Sequence, residues 1–279
     1  MKTLKNGFMV CPVISLTTDF GLSDPYVAEM KAVILNLCPD ARIMDISHNV
    51  DKFDIRIGAF ILTCAAPYFP EGTVHVAVID PDVGTKRRPL LIQTKKAFFI
   101  GPDNGVLVLA ANNQGITHIY EITNPRLMLP KVSSTFHGRD IFAPAAAHLV
   151  NGTELKEFGP EIKKITKPNF AKIAQKKNEI IGEVLHIDSF GNIITNISKE
   201  QLESMDMGET ANVKIGNAKL KLKLCKTYSE TKEHIPLALI GSHGFLEISM
   251  NKGNAAQVLK IQRGDRTVLH RDTGACAKH

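Results

Sequence analysis

The sequence predicts an α/β protein that consists of an N-terminal Rossmann-like layered α/β domain and a small C-terminal β-barrel domain. In the first 160 residues or so, strand-like and helix-like segments alternate, as in βαβ units built around a parallel sheet. Residues 74–80 form an almost continuously apolar run, as expected of a parallel strand that is covered on both faces. After about residue 178, short strand-like segments separated by Gly, Asn and Ser replace the helical pattern, which is typical of a small barrel.

The first elements follow from the patterns at the start of the chain. Residues 12–20 are strand-like and end in a polar cluster. The next segment predicts a helix with Asp24 as its N-cap and Pro25 at its first helical position, and Pro39 ends it. Residues 42–47 predict a second strand.

The remaining elements of the first domain continue the alternation. In order, the patterns predict a helix at 54–70, a strand at 74–80, two strands around a Lys-Lys turn within 89–107, a strand at 117–122 and a helix at 138–152 with an internal proline.

A change of composition separates the two domains. The lysine-rich stretch 163–177 predicts a solvated connector. We therefore expect the α/β domain to cover residues 11–165 and the barrel to cover residues 178–272. The tail from residue 272 predicts a frayed end.

Composition narrows the class of protein. The chain has 279 residues, of which 44% are hydrophobic and 22% charged, the profile of a soluble globular protein. Five cysteines without a C-x-x-C pair suit a reducing compartment and argue against a disulfide or zinc framework. No apolar stretch is long enough to span a membrane, and we expect a cytoplasmic protein. The net charge of +6 could serve an anionic partner, but the lysines are concentrated in the connector without interleaved aromatic residues, so no nucleic-acid partner is predicted.

Acidic and polar residues end several of the predicted parallel strands. Asp19 ends the first strand, Asp45 lies in the second and His48 soon follows it, and Asp80 ends the third. Any one of them is explained by helix capping or turn formation. Together they favour a polar cleft, because ligands of such sheets gather at the carboxyl ends of the strands. No spacing typical of a metal site or of a phosphate-binding loop accompanies them.

Two further segments are candidates for a site. His137 lies at the start of a predicted helix among hydroxyl, arginine and aspartate neighbours, so a structural and a functional role are equally supported. In the barrel, Phe190 and Phe245 lie near Asn192, Ser242 and Glu247. An aromatic face with amide or carboxylate groups suits a purine, although hairpin turns with core phenylalanines explain the same pattern.

Seven segments, taken in order, resemble one known family. The match extends over nearly the whole chain apart from its first ten residues or so, the connector and the tail, and the family is that of the S-adenosyl-L-methionine hydroxide adenosyltransferases, relatives of the fluorinase and chlorinase. The segments are TTDFGLSDPYVAEMKAVI, ISHNV, VIDPDVGTKRRPL, GPDNG, STFHGRDIFAPAAA, IDSFGNIITNI and GSHGFLEISMNKGNAA.

The resemblance implies a reaction and an assembly. The reaction is that of S-adenosyl-L-methionine with water to give adenosine and L-methionine, with no cofactor and no metal. The assembly is a homotrimer with the ligand between one subunit's α/β domain and its neighbour's barrel. The catalytic set of the family falls on Asp80, Arg87 and His137. Arginine would stabilise hydroxide, and the other two would orient or deprotonate the water.

The resemblance also implies the substrate contacts. Asp19 matches the acid that binds the ribose hydroxyls, and Phe53 the aromatic residue beside the ribose and methionine. The remaining matches lie in the barrel: Phe190 and Asn192 on the purine side, Asp188 for the methionine ammonium, and Ser242, Phe245, Glu247 and Met250 in the segment that closes over the ligand.

One position departs from the family pattern. Asp82 stands where relatives commonly have glycine. An aspartate would be tolerated there if the position needed positive φ, but it adds negative charge beside the reactive acid. Two alternatives therefore stay open: halide transfer like that of the chlorinase, and a nucleoside-binding or S-adenosyl-methionine-binding module without turnover.

Overall fold

The computed structural model describes residues 12–271 and the backbone of a short antiparallel pair, β1 (Leu4–Lys5) and β2 (Phe8–Met9). Cys11, Cys276 and the tail predicted to fray lie outside the described residues. The chain divides into two compact units, the first ending at Pro168 and the second beginning at Asn169.

The first unit is a six-stranded sheet with helices. Its strands follow the order β4-β3-β5-β7-β6-β8, in which β3, β4, β5 and β7 pair in parallel and β6 runs antiparallel to both of its neighbours. The elements are β3 (Val13–Thr18), α1 (Tyr26–Leu37), β4 (Arg42–Ser47), α2 (Ile55–Ala65), β5 (Val74–Val78), β6 (Pro89–Thr94), β7 (Phe98–Pro102), α3 (Val108–Asn113), β8 (Ile116–Glu121) and α4 (Ala143–Val150).

Two hydrophobic cores cover the two faces of this sheet. Successive residues at the end of β5 alternate between them: Val76 and Val78 belong to one core, and Ala77 and Ile79 to the other. Every residue of β5 is buried. The nearly continuous apolar run of 74–80 therefore belongs to a strand that is covered on both faces, as the sequence predicted. The predicted layered α/β fold is confirmed.

Two local predictions for the first unit fail, and a third is met with a modification. Asp24 does not cap α1; Pro25 occupies the N-cap position, and no side chain caps the helix. Helix α3 was not predicted, because a six-residue helix gives too short a periodic signal. The helix predicted at 138–152 begins as a π-helix, Gly138–Phe142, before α4.

The second unit is an antiparallel barrel-like sheet. Its strands follow the order β13-β12-β16-β10-β11-β15-β14, with β9 beside β10. An isolated bridge between Leu224 and Ala238 nearly closes the barrel. The elements are β9 (Ala174–Lys176), β10 (Glu179–Ile187), β11 (Ile193–Ser198), α5 (Lys199–Ser204), β12 (Thr210–Ile215), β13 (Ala218–Lys223), β14 (Pro236–Ile240), β15 (Phe245–Met250), α6 (Ala255–Leu259) and β16 (Arg266–His270).

The predicted connector is more ordered than its composition suggested. Ile165 packs against one core of the first unit, and the Thr166 N–H donates to Asp103. Further along, β9 forms a strand pair with β10. Within residues 12–271, Cys38, Cys64 and Cys225 are free thiols, and no helix is long and apolar enough to cross a membrane.

Candidate active site

The carboxyl ends of β3 and β5 bring two of the predicted acids to one edge of the sheet. Thr18 and Val78 are paired in these parallel strands, so that Asp19 and Asp80 both leave the sheet at this edge. Just behind Asp80, the Asn104 side-chain amide donates to the Ile79 carbonyl at 2.8 Å. The GPDNG segment thus anchors the strand end from which Asp80 projects.

Asp80 and Arg87 form a buried ion pair. Arg87 Nε donates to both carboxylate oxygens of Asp80, at 2.9 and 3.0 Å, and Nη2 donates to Oδ2. The two side chains are 4% and 6% exposed. The charges compensate each other, which is the condition under which such groups are tolerated away from water.

His137 is the third member of this group. Its Nδ1 lies 2.8 Å from Arg87 Nη2. Because a guanidinium donates hydrogen bonds and accepts none, Nδ1 is the acceptor, and we assign a neutral imidazole with its proton on Nε2. Burial lowers the pKa of His137, and the charge of Arg87 lowers it further, against the opposing charges of Asp80 and Asp140. The neutral form is therefore favoured at neutral pH.

One donor of this arginine is left over. Arg87 Nη1 is buried and has no hydrogen-bond partner among the described residues. The guanidinium also lies over the Phe142 ring, 5.2 Å from its centroid. A buried donor without a partner costs free energy, on the order of 1–3 kcal/mol, unless a ligand completes it. The position of Nη1 is therefore suited to an oxygen ligand that carries negative charge.

The loop between Asp80 and Arg87 is packed tightly onto the segment before His137. Gly84 has φ +79°, and a Cβ atom there would lie 2.2 Å from the Ser134 carbonyl oxygen. Inside the loop, the Val83 N–H donates to the Asp80 carbonyl. Only glycine allows this approach, so Gly84 fixes the distance between the two segments that carry the site.

A second buried acid holds the His137 segment from the other side. Asp140 is fully buried and accepts from the Ser133 N–H at 2.7 Å and from Arg139 Nε at 2.6 Å. It lies in the π-helix that begins immediately after His137. Such wide turns occur frequently at functional sites, where they change the direction of a side chain.

Asp19 and Phe53 are in direct contact. The Asp19 carboxylate accepts from the Phe53 N–H at 2.8 Å. Phe53 has φ +64° and its side chain is 68% exposed. A left-handed phenylalanine that presents its ring to solvent is a strained arrangement, of a kind that concentrates at ligand sites.

The second unit brings another group together in the turn after β10. Asp188 accepts from the backbone N–H groups of Phe190 and Asn192 and from the Asn192 side chain, each at 2.9 Å. Phe190 is 76% exposed, whereas Asn192 is buried. The turn thus presents an aromatic face beside an oriented carboxylate.

The other predicted contacts in this unit have different settings. Ser242 lies in the turn before β15 and is exposed, and Phe245 begins β15 and is partly exposed. Glu247 is buried and accepts from Tyr228 Oη at 2.8 Å and from Ser249 Oγ at 2.6 Å. Met250 packs in the barrel core, so its predicted contact with substrate rests on the resemblance alone.

Tyr228 was missed by the sequence analysis. Desolvation, the bond to Glu247, and the charges of Glu247 and Asp188 raise its pKa to about 12. Its ring is largely exposed and lies near the Asp188 carboxylate. It stands in a polar segment 19 residues from Glu247, and no pattern of the sequence indicates that pairing.

The backbone and surroundings of Asp82 restrict the residue type less than its place in the motif suggested. It is exposed and is not among the residues with positive φ, so a glycine is not required there by the backbone. Within residues 12–271, no cluster of His, Cys, Asp or Glu side chains has the arrangement of a metal site.

Comparison with known proteins gives a single family for both units. Residues 14–159 match the sequence model described as SAM hydroxide adenosyltransferase N-terminal domain, and residues 182–268 match that of the C-terminal domain. A protein of Methanocaldococcus jannaschii named (R)-S-adenosyl-L-methionine hydrolase is 41% identical, over 90% of this chain and 93% of its own. One of the same name from Thermus thermophilus is 37% identical, over 91% and 97%.

A more distant relative by sequence and a protein of known structure are also similar to this chain. A protein of Nocardia brasiliensis named Fluorinase is 27% identical over 91% of this chain and 95% of its own. The crystal structure of an uncharacterized conserved protein from Thermotoga maritima has a TM-score of 0.85 at 38% identity, covering 92% of this chain and 100% of that one. With both units matched in order, this chain belongs to the SAM hydroxide adenosyltransferase family.

Proposed function

We propose that this protein is an S-adenosyl-L-methionine hydrolase that transfers the adenosyl group to water and releases adenosine and L-methionine. Family membership supports the substrate and the reaction, and curated relatives at 35–41% identity carry the hydrolase name. The observation on which the chemical part depends is the unpartnered Arg87 Nη1 within the buried group of Asp80 and His137.

The reaction needs a nucleophile more than it needs an acid. The sulfonium of the substrate is already a cationic leaving group and departs as a neutral thioether. A new bond forms between the water oxygen and C5′ of the ribose, the C5′–S bond breaks, and its electron pair stays on sulfur. One proton of the water is released, and it carries away the positive charge that the sulfonium brought. Because water has a pKa of about 15.7, the difficult part is the generation of hydroxide.

Arg87 supplies the positive charge that makes this possible. A fixed cation with a free N–H stabilises a hydroxide by a charge-assisted hydrogen bond, without losing its own proton. The buried position strengthens this interaction relative to water. We assign this role to Nη1, because Nε and Nη2 are occupied by Asp80 and His137.

Asp80 and His137 then have unequal roles. A carboxylate has about four acceptor positions, so Asp80 can hold Arg87 and still receive the water proton. His137 holds Arg87 Nη2 through Nδ1, and its proton on Nε2 makes it a donor rather than a base. We therefore assign proton transfer to Asp80 and orientation of the guanidinium and the water to His137.

Substrate binding uses residues of the α/β unit and residues of the barrel. In this proposal Asp19 binds the ribose hydroxyls and Phe53 lies beside the ribose and methionine. In the barrel, Asn192, Phe190 and Tyr228 contact the purine. The remaining barrel residues of the proposed set are Asp188 for the methionine ammonium, and Ser242, Phe245, Glu247 and Met250. The protein is proposed to be a cytoplasmic homotrimer in which each site lies between subunits, and no cofactor takes part.

Isotope labelling tests the reaction. Purified protein is incubated with each sulfonium epimer of S-adenosyl-L-methionine in ¹⁸O-water, and the products are separated and weighed by mass spectrometry. We expect adenosine with one ¹⁸O at the 5′ position and unlabelled methionine. Adenosine without label would exclude attack at C5′ by water, and the absence of products with binding retained would leave a binding module.

The same assay distinguishes halide transfer. Chloride or fluoride at high concentration would give a 5′-halogenated nucleoside if the site accepted a halide. We expect none, because in this proposal water enters as a neutral molecule and passes a proton to Asp80, whereas a halide would enter as an anion beside that carboxylate. A halogenated product would assign the chain to the halide-using branch.

Mixed oligomers test the shared site. Arg87→Lys and Asn192→Ala variants, each expected to have lost most of its activity, are mixed under conditions that exchange subunits. If sites lie between subunits, some sites in the mixture contain both wild-type halves and activity returns. Activity that stays absent, although mass measurement shows exchange, would contradict the interface site. Light scattering gives the subunit number directly.

A further inference from the structure

A polar cluster, buried except for Asp45, lies behind Asp19. It consists of Thr18 at the end of β3, Asp45 within β4, and His48 immediately after β4. Thr18 and His48 are almost completely buried. They cannot touch a ligand, so any effect on the reaction has to pass through the residues that they hold.

The cluster forms a chain of polar contacts that ends at the backbone of the Asp19 turn. The Phe20 N–H donates to Thr18 Oγ1 at 3.3 Å, and Thr18 Oγ1 lies 2.8 Å from His48 Nδ1. His48 Nε2 lies 3.1 Å from Asp45 Oδ1, although its N–H direction does not make a well-formed hydrogen bond. We assign the His48 proton to Nε2, so that Nδ1 accepts from the Thr18 hydroxyl.

His48 reaches the same turn by a second route. Its backbone carbonyl accepts from the Gly21 N–H at 2.7 Å. The side chain therefore holds the residue before Asp19, and the main chain holds the second residue after it. Asp19 lies between the two attachments, and its carboxylate and carbonyl are further engaged by the Phe53 N–H and by Lys52 Nζ.

From this geometry we infer that Thr18 and His48 are positioning residues that set the Asp19 carboxylate for the ribose hydroxyls, with Asp45 as a weaker outer support. The inference rests on the proposed role of Asp19. It adds that the fit to the ribose diol depends on two buried side chains without ligand contact. The well-formed contact at Nδ1 carries the effect, and the misaligned contact at Nε2 carries little of it.

Two substitutions of His48 separate the contact made by Nδ1 from the contact made by Nε2. Asparagine places its amide near the position of Nδ1, and glutamine near that of Nε2. His48→Asn therefore keeps a partner for Thr18 and loses Asp45, whereas His48→Gln does the reverse. Thr18→Val removes the hydroxyl at nearly constant volume, and Thr18→Ser restores it. These four variants separate the hydrogen bond from the packing.

The readout is a preference for the ribose diol. Dissociation constants of adenosine and 2′,3′-dideoxyadenosine are measured by calorimetry for each protein. We expect Thr18→Val and His48→Gln to raise the dissociation constant of adenosine about tenfold, the equivalent of one lost hydrogen bond. The dissociation constant of the dideoxy compound should stay within about twofold of its wild-type value. Thr18→Ser, His48→Asn and Asp45→Asn should stay within about threefold of wild type for both ligands.

Asp19→Asn calibrates the experiment. If it keeps the preference for adenosine, the ribose role of Asp19 is wrong and the inference falls with it. If it loses the preference while Thr18→Val and His48→Gln keep it, the positioning role alone is overturned. An equal loss for both ligands would also overturn it, since that is what general loosening of the fold produces. Should His48→Gln fail to fold, the Thr18 pair gives the same decision.

Discussion

Two consecutive arginines make similar ion pairs for different purposes. Arg87 pairs with Asp80 and is 6% exposed, and its Nη1 is buried with no hydrogen-bond partner within residues 12–271. Arg88 donates to Asp103 through Nε and Nη2, and Nη2 also donates to the Lys164 carbonyl at 2.8 Å. Asp103 in turn accepts from the Thr166 N–H at 2.7 Å. The second pair ties one chain segment to another.

The contacts of the two arginines separate the pair proposed for catalysis from a structural pair. Residue types and burial of the aspartate are nearly the same in the two pairs. What differs is how the arginine nitrogens are used: Nη2 of Arg88 bonds a carbonyl of the protein, whereas Arg87 gives one donor to a histidine and keeps a buried donor that has no partner in the described part of the chain. An incomplete set of hydrogen bonds in a buried pair indicates a place for a ligand.

The largest expected effect tests this difference directly. Arg87→Lys keeps a cation for Asp80 but has no Nη1, and we expect the turnover number to fall about 10³-fold, as when a donor to a developing anion is removed. Arg88→Lys should stay within a few-fold of wild type. Single-turnover assays at saturating S-adenosyl-L-methionine measure both. Equal losses in the two variants would abolish the distinction.

Gly84 tests whether the distance between the two site segments matters. In Gly84→Ala the new Cβ would meet the Ser134 carbonyl at 2.2 Å and force the loop of Asp80 away from His137. A displacement of about 1 Å predicts a loss in turnover of about 10²-fold. Gly72→Ala is the matched control, because Gly72 has φ +82° with nothing within 4 Å of its Cβ position. A rate in Gly84→Ala equal to that of the control would refute the argument.

Arg88 should reveal its role in stability. Arg88→Ala leaves Asp103 buried without its cation, and we expect the free energy of unfolding to fall by about 2 kcal/mol. Calorimetry should show a decrease of Tm by roughly 4–8 °C. Arg88→Ala with Asp103→Asn should recover part of the loss, since the uncompensated charge is gone. An unchanged Tm for the single variant would contradict a tie to the 164–166 segment.

The pH dependence sharpens the role of His137. Its pKa lies below the ordinary value of 6.5, chiefly because of burial. The neutral ring is needed to accept a hydrogen bond from Arg87. Activity should therefore be constant at pH values above 6.5 and fall about tenfold per pH unit below the lowered pKa. The folded state disfavours the protonated ring, so His137 contributes stability above pH 6.5 that is lost as the pH falls. His137→Asn keeps an acceptor that does not titrate, and its rate profile should lose this acid limb.

The smallest effect concerns Asp82. An exposed carboxylate interacts weakly with the site through water, so Asp82→Gly should change the turnover number by no more than about threefold. Steady-state kinetics at low and high salt measure the electrostatic part. An increase of tenfold or more would show that the departure from the family glycine slows the reaction.

Sequence patterns predicted the first unit well where the signals are local. The bounds of β4 agree with the prediction, and the buried β5 follows from its apolar run. Asp80 and Arg87, which the family resemblance named together, form their pair within one short loop. The cap of α1 was predicted wrongly, because Pro25 takes the N-cap position that was assigned to Asp24.

Long-range contacts could not be predicted from local patterns. His137 lies 50 residues from Arg87, and only the family resemblance suggested that they meet. The link between Tyr228 and Glu247 has no counterpart in any motif of the sequence. Similarly, the two attachments of His48 around Asp19 depend on the pairing of β3 with β4, which the strand patterns leave undetermined.

The length of the π-helix at Gly138–Phe142 sets the direction of the imidazole that precedes it. A π-turn holds about one residue more than an α-turn. Each residue of an α-helix turns the chain by about 100°. Deleting one residue from this stretch would tighten it into an ordinary turn and rotate the imidazole away from its guanidinium neighbour. The chain length between His137 and α4 is therefore part of the geometry that brings His137 to Arg87.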